Sequence, residues 1–329
     1  MKDILVIGGG GFVGSAIVKG LINKDVIVTV AGRSHYPHIE KLGVTCFKGD
    51  IADPTFVDTI CRNVDTVFHV AAKAGIWGSW SEYEAANVTG TKNVVQACLK
   101  HKVERLVYTS TPSVVFNKEN IINGDETLDY SDAFLCNYAK SKAIAEKFVL
   151  DHNSGALKTC AIRPHLIWGP HDPHLIPRVV ERARQGKLKI VGDGTNKVDI
   201  TYIDNVAHAH ILAAKELAHE ARCAGKAYFI GQEEPVVLWQ WINELLKDVS
   251  VVEISKKVNF RLAYLVGGLL ELIYKGLKIE SEPQMTRFLA YQLSHSHYFS
   301  HHNAFTDFGY EPLVTLEEGK KKLLEWLKE

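Results

Sequence analysis

Two residues of the sequence are suited in type and spacing to acid–base chemistry. Tyr138 and Lys142 are four positions apart in a segment, beginning at Asn137, whose sequence predicts a helix, so they share one helix face about a turn apart. An isolated tyrosine has a pKa of ~10 and is a poor acid or base at neutral pH. A fixed ammonium nearby favours the phenolate and lowers that pKa. The pair therefore predicts a proton donor or acceptor that is usable near pH 7.

A cluster of hydroxyl groups lies where it could orient a reacting oxygen. Thr109, Ser110 and Thr111 follow the run Arg105–Tyr108, which predicts a strand, so they lie at its carboxyl end. Open α/β sheets bind their ligands at that end of their strands. We therefore expect one of these hydroxyls to accompany Tyr138 in a catalytic site.

The amino-terminal segment predicts a dinucleotide-binding turn. The apolar run Ile4–Ile7 predicts a buried strand, the spacing Gly8-x-x-Gly11-x-x-Gly14 follows it, and Ser15–Lys24 predicts a helix. The glycines let the backbone approach a pyrophosphate, and the helix amino terminus offers free N–H groups. The alternative, a glycine-rich surface turn, explains the flanking strand and helix less well.

The elements that must position these residues alternate between strands and helices through the first half of the chain. Alternation at this spacing predicts an α/β fold, a Rossmann-type doubly wound parallel sheet. Further predicted strands are Val26–Val30, Val44–Lys48, Thr66–Val70, Leu106–Thr109 and Thr159–Ile162, and predicted helices are Pro54–Asn63, Ser81–Lys100 and Asn137–His152. Asp204–Ala218 and Ala227–Ile230 are expected to return to the nucleotide core. We expect residues 1–163 plus about 195–232 to form the dinucleotide-binding core. Residues 164–194 plus about 233–329 would form a smaller, interleaved mixed α/β substrate-binding part.

These segments together resemble the extended short-chain dehydrogenases/reductases, within the epimerase/dehydratase superfamily. The resemblance runs through the glycine turn, Gly49–Ile51, His69–Ala72, Asn87–Thr91, the hydroxyl cluster, the Tyr138/Lys142 pair and Arg163–Pro170. Within that family the chain is similar to the 3β-hydroxysteroid dehydrogenase branch, including members that act on 2-alkyl-3-oxoalkanoates and on sterol-4α-carboxylates. The segments that carry this narrower likeness are 73–78, 108–116 and 198–206.

The resemblance implies a catalytic set and a cofactor set. The catalytic residues would be Tyr138, Lys142 and Thr111, with Ser110 as the alternative to Thr111. The resemblance also implies the cofactor-binding residues, which are Gly8, Gly11, Phe12, Val13, Gly14, Arg33, Ser34, Asp50, Ile51, Ala71, Ala72, Lys73, Thr109, Tyr138, Lys142, Pro164, His165 and Ile167. Asp50 would face the adenine, or form only an Asx turn.

The charge at the end of the second predicted strand favours NADP(H), with NAD(H) as the alternative. NAD-selective sites usually carry an acidic residue there, whereas this strand ends Val30-Ala-Gly-Arg33-Ser34. A guanidinium can bind a 2′-phosphate with two hydrogen bonds, and Ser34 can add a hydroxyl. The alternative is an ordinary solvated arginine.

The substrate is expected to be a hydrophobic ketone or alcohol. The segment 262–274 is almost wholly apolar but too short to span a bilayer, which needs ~20 residues. Three interpretations remain: a buried helix, a wall for a greasy substrate, and a helix that rests on a membrane. Trp77, Trp168 and Tyr202 are further candidate substrate contacts.

Composition and motifs limit the other functional classes. Lys plus Arg and Asp plus Glu both number 38, so nothing favours nucleic-acid binding. Six scattered cysteines indicate reduced cytoplasmic thiols, and Met1-Lys2-Asp3 leads directly into the first strand, so we expect no secretion signal. The family chemistry needs no metal. By analogy, a homodimer would form through Ser81–Lys100 and Asn137–His152.

Two reactions remain open within the branch. One is NADPH-dependent reduction of a 2-alkyl-3-oxoalkanoate-like substrate, and the other is oxidation of a 3β-hydroxysteroid or a sterol-4-carboxylate. A nucleotide-sugar epimerase or dehydratase is a more distant alternative, disfavoured by Arg33 and by the apolar segment 262–274. A protein that only holds a dinucleotide is disfavoured because both Tyr138 and Lys142 are present.

Overall fold

A parallel sheet lies at the centre of the computed structural model, which describes residues 1–22, 25–173 and 175–328. Its strands are β1 (Asp3–Ile7), β2 (Ile27–Gly32), β3 (Thr45–Lys48), β4 (Thr66–His69), β5 (Arg105–Thr109), β7 (Lys158–Pro164) and β12 (Lys226–Ile230). The order across the sheet is β12-β7-β5-β4-β1-β2-β3. The order reverses between β1 and β4, and a crevice opens at such a point beyond the carboxyl ends of the strands. The predicted Rossmann-type α/β fold is confirmed.

The remaining strands form small sheets beside the central one. They are β6 (Ile121–Gly124), β8 (Ile167–Trp168), β9 (Ile190–Val191), β10 (Lys197–Val198), β11 (Thr201–Tyr202), β13 (Val236–Val237), β14 (Lys257–Val258) and β15 (His297–Phe299). The largest of these sheets has the order β13-β10-β15-β6. The predicted division into two interleaved parts stays a prediction. Strand β6 lies early in the chain and pairs with the late strand β15.

Helices cover both faces of the central sheet. They are α1 (Phe12–Leu21), α2 (Pro37–Glu40), α3 (Pro54–Ile60), α4 (Trp80–Tyr83), α5 (Gly90–Lys100), α6 (Asn137–Asp151), α7 (Leu175–Arg184), α8 (Ile203–Leu217), α9 (Leu238–Asp248), α10 (Phe260–Gly276), α11 (Arg287–Gln292), α12 (His302–Phe308) and α13 (Leu316–Trp326). A 3₁₀-helix covers Pro112–Val115 and a π-helix covers Glu84–Thr89. Within the described ranges no helix is long and apolar enough to cross a membrane.

Two predicted helices differ from the structure at positions that matter for the site. The helix after β1 begins at Phe12 instead of Ser15, because Gly11 is already its N-cap, and the predicted end at Lys24 lies outside the described residues. The predicted helix Ser81–Lys100 is not one regular helix. It starts with a capping box at Ser79 and widens into the π-helix before α5.

Candidate active site

The glycine turn after β1 is built for close backbone approach. Gly8 has φ +86°, and a Cβ there would lie 2.7 Å from the Ala71 nitrogen. A Cβ at Gly14 would lie 2.2 Å from the Gly8 carbonyl oxygen. The turn leads into the amino terminus of α1, whose first residues are Phe12 and Val13. The glycines leave this cradle of backbone groups free of side chains, so it fits a dinucleotide pyrophosphate.

Tyr36 is a neighbour of this cradle that the sequence did not single out. A Cβ at Gly10 would lie 2.0 Å from the Tyr36 ring, and one at Gly32 would lie 2.3 Å from its hydroxyl. The tyrosine therefore packs across the turn and the end of β2. Arg33 and Ser34 follow directly and are exposed. Their side chains are thus free to meet a group bound beside the cradle.

Strands β3 and β4 bring further predicted cofactor contacts, Asp50, Ile51 and Ala71, to the same edge of the central sheet. Asp50 follows β3, and its Oδ1 accepts a hydrogen bond from the Ala52 nitrogen at 2.9 Å, so the Asx turn is present. Ile51 is buried against Gly90. Beyond β4, the Ala71 nitrogen donates to the Ile7 carbonyl at 2.9 Å.

Asn87 connects this loop to the helix that carries Tyr138. Its Oδ1 accepts a bond from the Lys73 nitrogen at 2.7 Å, and its Nδ2 donates to the Lys73 carbonyl at 3.1 Å and to Ser141 Oγ at 2.9 Å. The π-helix turns this buried side chain inward. The segment Asn87–Thr91 was part of the family resemblance, but no sequence pattern indicated this bridging role.

The acid–base residues meet at the carboxyl end of β5. The Thr111 hydroxyl, which donates to Ser113 Oγ at 3.2 Å, lies near the Tyr138 hydroxyl and lowers the tyrosine pKa, while the hydroxyl of Ser110 lies toward Glu146 instead. One turn after Tyr138, the buried Lys142 donates from Nζ to the Thr109 carbonyl. The structure thus brings Thr111, and not Ser110, to Tyr138.

The pKa values of the pair differ from the sequence-based expectation. Burial raises the pKa of Tyr138 to about 12, and only the weaker effect of the nearby Thr111 hydroxyl opposes it. Burial also lowers the pKa of Lys142 to about 7, against the attraction of Glu146, which raises it. Burial therefore outweighs the lowering of the Tyr138 pKa that Lys142 was expected to cause. The ammonium lies 4.0 Å above the Tyr108 ring and bonds a backbone carbonyl.

A buried ion pair joins α6, the helix that carries Tyr138 and Lys142, to β7. Arg163, at the end of β7, donates from Nε to Glu146 Oε2 at 3.0 Å and from Nη2 to Oε1 at 2.6 Å. Tyr130 donates to the same carboxylate at 2.6 Å. Glu146 is four residues after Lys142, and this i+4 spacing is the sequence signal that could have identified it.

The segment after β7 contains a pair of buried histidines. His165 Nε2 lies 2.6 Å from His297 Nδ1, and His297 Nε2 lies 3.0 Å from the Gln292 carbonyl. His297 therefore donates to that carbonyl and accepts a bond from His165. Burial holds the pKa of both rings below the usual range. The pair fixes His165 between Pro164 and Ile167, where the family resemblance placed cofactor contacts.

A cavity of about 730 Å³ opens beside the turn that precedes Tyr138. Its volume is within the usual range for small-molecule sites. Trp77 lines it and donates from Nε1 to the Ile279 carbonyl at 3.1 Å, which joins the loop after β4 to the end of α10. The other lining residues include Lys73, Cys136, Asn137, Glu271, Tyr274, Lys275 and Lys278.

Trp168 and Tyr202, the other candidate substrate contacts, lie in the second hydrophobic core. Their rings are 5.2 Å apart, and Trp168 also contacts Trp241 at 5.4 Å. Both side chains are almost fully buried, because the parallel pairing of β8 with β11 turns them to the same side. Neither is among the residues that line the cavity.

The sequence pattern of the 3-beta hydroxysteroid dehydrogenase/isomerase family matches residues 5–262. The chain belongs to this family. The extended short-chain dehydrogenase/reductase resemblance is confirmed, and this family member is an oxidoreductase.

Individual relatives agree with the family. A 2-alkyl-3-oxoalkanoate reductase of Stenotrophomonas maltophilia (strain K279a) is 49% identical, over 97% of this chain and 98% of that protein. A decarboxylating sterol-4-alpha-carboxylate 3-dehydrogenase of Mus musculus is 34% identical, over 98% of this chain and 90% of that protein. The structure of MoeE5 in complex with UDP-glucose and NAD matches with a TM-score of 0.74 at 24% identity, over 99% and 98% of the two chains. This 3-beta hydroxysteroid dehydrogenase/isomerase family member therefore has the fold of a protein solved with NAD.

Proposed function

We propose that this chain reduces a hydrophobic 3-oxo acid, of the 2-alkyl-3-oxoalkanoate kind, to the 3-hydroxy acid with NADPH. The observation that carries the proposal is the meeting of Tyr138, Thr111 and Lys142 at the end of β5, beside the cavity lined by Trp77. The 49% identity to a 2-alkyl-3-oxoalkanoate reductase supports the choice of substrate.

In this proposal some residues of the chain bind the dinucleotide and others carry out proton transfer. The glycine turn and Arg33 would hold the dinucleotide, which supplies a hydride when bound. Tyr138 donates its proton to the substrate oxygen as that oxygen gains charge, and Thr111 orients the oxygen through its hydroxyl. Lys142 supplies positive charge that stabilises the phenolate left behind. Its burial strengthens that effect because little water screens the charge.

The substrate assignment is tested by following the consumption of reduced nicotinamide with a 2-alkyl-3-oxo acid. We expect NADPH consumption and one equivalent of the 3-hydroxy acid. Oxidation of a 3β-hydroxysteroid or a sterol-4-carboxylate, with no reduction of the oxo acid, would replace the proposal with the alternative that the mouse relative supports. Tightly held NAD with activity on a sugar nucleotide would favour the epimerase. The predicted homodimer is tested independently, by light scattering.

Arg33→Ala tests the preference for NADP(H). Because Arg33 is exposed directly after β2, its loss removes the charge proposed to bind the 2′-phosphate. We expect kcat/KM for NADPH to fall about 10-fold to 100-fold, as for loss of a charge-assisted hydrogen bond, while kcat/KM for NADH stays constant. His35→Ala, in an exposed residue of the same loop, is the matched control. An equal fall with both cofactors would contradict the role of Arg33.

Glu146→Gln tests whether the buried ion pair maintains the charge of Lys142. Reduction needs the ammonium, so kcat/KM should fall as pH rises through the Lys142 pKa, which is about 7. Glu146 raises that pKa, and removing its charge therefore lowers it. We expect the alkaline limb of the pH profile to move to lower pH.

Tyr130→Phe is the control for that variant, since it removes a hydrogen bond from Glu146 and leaves the carboxylate charge in place. Its alkaline limb should match the wild type. An unmoved limb in Glu146→Gln, with the fold intact by circular dichroism, would limit Glu146 to a structural role.

A further inference from the structure

Lys73 is a cationic residue in the wall of the cavity that the proposed mechanism does not use. It lies in the loop after β4, four residues before Trp77, and both residues line the cavity. Its side chain is 29% exposed, so the protein covers most of it. Partial burial of a charge is costly unless the charge is paired. An ammonium in this position therefore indicates either a counter-ion in the protein or an anionic ligand.

The backbone of Lys73 is fixed to the helix that carries Tyr138. Asn87 bonds both backbone groups of Lys73, and its Nδ2 also donates to Ser141 Oγ at 2.9 Å. The Ser141 hydroxyl in turn donates to the Tyr138 carbonyl at 2.8 Å. This chain of hydrogen bonds sets the position of Lys73 relative to the acid–base residue.

The side chain of Lys73 lies on the same aromatic ring as Tyr138. Its Nζ is 5.4 Å from the centroid of the Tyr83 ring, and the Tyr138 ring centroid is 6.5 Å from that of Tyr83. Gly78 has φ +147°, and a Cβ there would lie 3.3 Å from Lys73 Cε, so the loop packs closely against the lysine stem. The ammonium and the Tyr138 ring are therefore both neighbours of one buried ring.

Glu82 is the counter-ion of Lys73 in the protein, but the pair is weak. Glu82 Oε1 lies 3.3 Å from Lys73 Nζ, which is longer than the usual distance of a charge-assisted hydrogen bond. The other carboxylate oxygen accepts bonds from the Ser79 nitrogen and hydroxyl, both at 2.9 Å. Exposed ion pairs of this kind contribute little stability. A second carboxylate can therefore compete with Glu82 for the ammonium.

The other cationic residues of the cavity are less suited to hold an anion. Among the described residues, Arg287, Lys275 and Lys278 also line it. The Arg287 guanidinium is already paired with the buried Glu271, to which its Nε donates at 2.8 Å. Lys275 and Lys278 are exposed, so water screens their charge. Lys73 combines partial burial, a fixed backbone and a weak partner.

We propose that the Lys73 ammonium binds the substrate carboxylate and thereby selects substrates that carry one beside the reacting carbon. The inference rests on the proposed function and deepens it. In a 2-alkyl-3-oxo acid, the carboxylate is attached to the carbon next to the ketone. A sterol-4-carboxylate has the same relation between its carboxylate and the oxygen at position 3. The subsite therefore serves either substrate.

The rest of the cavity complements this assignment. A carboxylate carbon two bonds from the ketone carbon must be bound close to Tyr138, as the shared contact with Tyr83 allows. The alkyl groups of the substrate need an apolar surface beyond the charged group. Apolar side chains in the cavity wall supply it, namely Ile76, Trp77, Trp80, Leu135 and Ile279.

Lys73→Gln tests the proposal, because glutamine is polar but carries no charge. With a 2-alkyl-3-oxo acid, we expect KM to rise about 10-fold to 100-fold, as for loss of a charge-assisted hydrogen bond. The value of kcat should change little, since Tyr138 and Thr111 are untouched. With the methyl ester of the same acid, which is neutral, the variant and the wild type should have the same KM. Lys73→Arg keeps the charge and should retain the preference for the acid.

Glu82→Gln gives a result that a merely structural role of Lys73 would not produce. Glutamine at this position can keep the capping box with Ser79 but no longer attracts the ammonium. Without that competitor, KM for the acid should fall about 2-fold to 5-fold, the range for loss of an exposed ion pair. KM for the ester should not change. The double variant Lys73→Gln/Glu82→Gln should keep the raised KM for the acid, which excludes repulsion by an unpaired Glu82 as its cause.

Lys226→Gln is the matched control for Lys73→Gln. Lys226 forms an ion pair with Asp307 at 2.8 Å and does not line the cavity. Its variant should have the wild-type KM for the acid. NADPH affinity is measured by fluorescence titration in each variant and should stay constant. Equal changes for acid and ester in Lys73→Gln, or a loss of NADPH affinity that accounts for its KM, would overturn the proposal.

Calorimetric titration separates this inference from the proposed function. The probe is a short 2-alkyl alkanoic acid, which has the carboxylate but no ketone, and its primary amide is the neutral comparison. We expect the wild type to bind the acid at least about 10-fold more tightly than the amide, and Lys73→Gln to lose that difference. If the wild type reduces no 3-oxo acid, the proposed function fails and this titration still decides the subsite. Equal affinity of the wild type for acid and amide would show that Lys73 does not bind a carboxylate.

Discussion

Tyr138→Phe should abolish reduction while leaving the fold and dinucleotide binding unchanged. The substitution removes only the hydroxyl, which lies near that of Thr111, and the aromatic ring keeps its contact with the Tyr83 ring at 6.5 Å. Loss of a general acid costs ~10²–10⁴ in rate. We expect kcat to fall by about 10³-fold, because the neighbouring hydroxyl of Thr111 is an aliphatic alcohol and a much weaker acid than a phenol.

The matched control for this variant is Tyr83→Phe. Tyr83 is a neighbouring buried tyrosine whose hydroxyl donates to the Gly75 and Trp77 carbonyls at 2.7 and 3.1 Å. Its loss should loosen the loop after β4 and raise KM, with kcat reduced far less than in Tyr138→Phe. Dinucleotide affinity is measured by fluorescence titration in both variants. Unchanged turnover in Tyr138→Phe would remove the tyrosine from the mechanism.

The sequence predicted the positions of the acid–base residues better than their electrostatics. The four-residue spacing placed Tyr138 and Lys142 on one helix face, and the run 105–108 placed Thr111 at a strand end. Both inferences use only local geometry, which sequence spacing determines. The pKa of Tyr138 depends on burial by residues from distant parts of the chain, and burial raises it to about 12. Spacing alone carries no information about that burial.

The same distinction separates the predicted strands from the missed contacts. The parallel sheet followed from alternating apolar runs, and its strands agree with the predicted ones within a few residues. The pairing of His165 with His297 joins positions 132 residues apart, and no local pattern predicts it. Within the π-helix at Glu84–Thr89, Asn87 bonds the backbone of another loop, a tertiary contact that no local pattern predicts.

The apolar segment 262–274 shows what composition alone can and cannot predict. Its residues left three environments open, with a buried helix favoured, because apolar composition does not distinguish a buried face from an exposed one. In the structure, Ala263, Gly267 and Glu271 are buried, whereas most of the leucines are exposed. Gly267 in the buried face, spaced four residues from Ala263 and Glu271, was the available signal. Close packing needs small residues, and large ones at the remaining positions then face outward.

Gly14→Ala should produce the second large effect, a loss of dinucleotide binding. The added Cβ would lie 2.2 Å from the Gly8 carbonyl oxygen and 2.7 Å from the Gly9 Cα. Both are backbone atoms of the turn, so the turn itself must move, and overpacking of this kind costs about 1–3 kcal/mol. Alanine is otherwise better than glycine inside a helix by ~1 kcal/mol, so any loss reports the clash. We expect dinucleotide affinity to fall at least about 10-fold.

Two other glycine variants make this result specific to the turn. Gly20→Ala lies in the same helix, but its Cβ would meet only the end of the Ile211 side chain, at 2.8 Å. Gly276→Ala, at the end of α10, would meet nothing within 4 Å. Both should bind the dinucleotide as the wild type does, because a side chain can rotate aside and open space needs no adjustment, whereas the Gly8 carbonyl is fixed by the turn. Wild-type affinity in Gly14→Ala, or equal losses in all three variants, would show that the close approach of α1 to the turn does not determine dinucleotide binding.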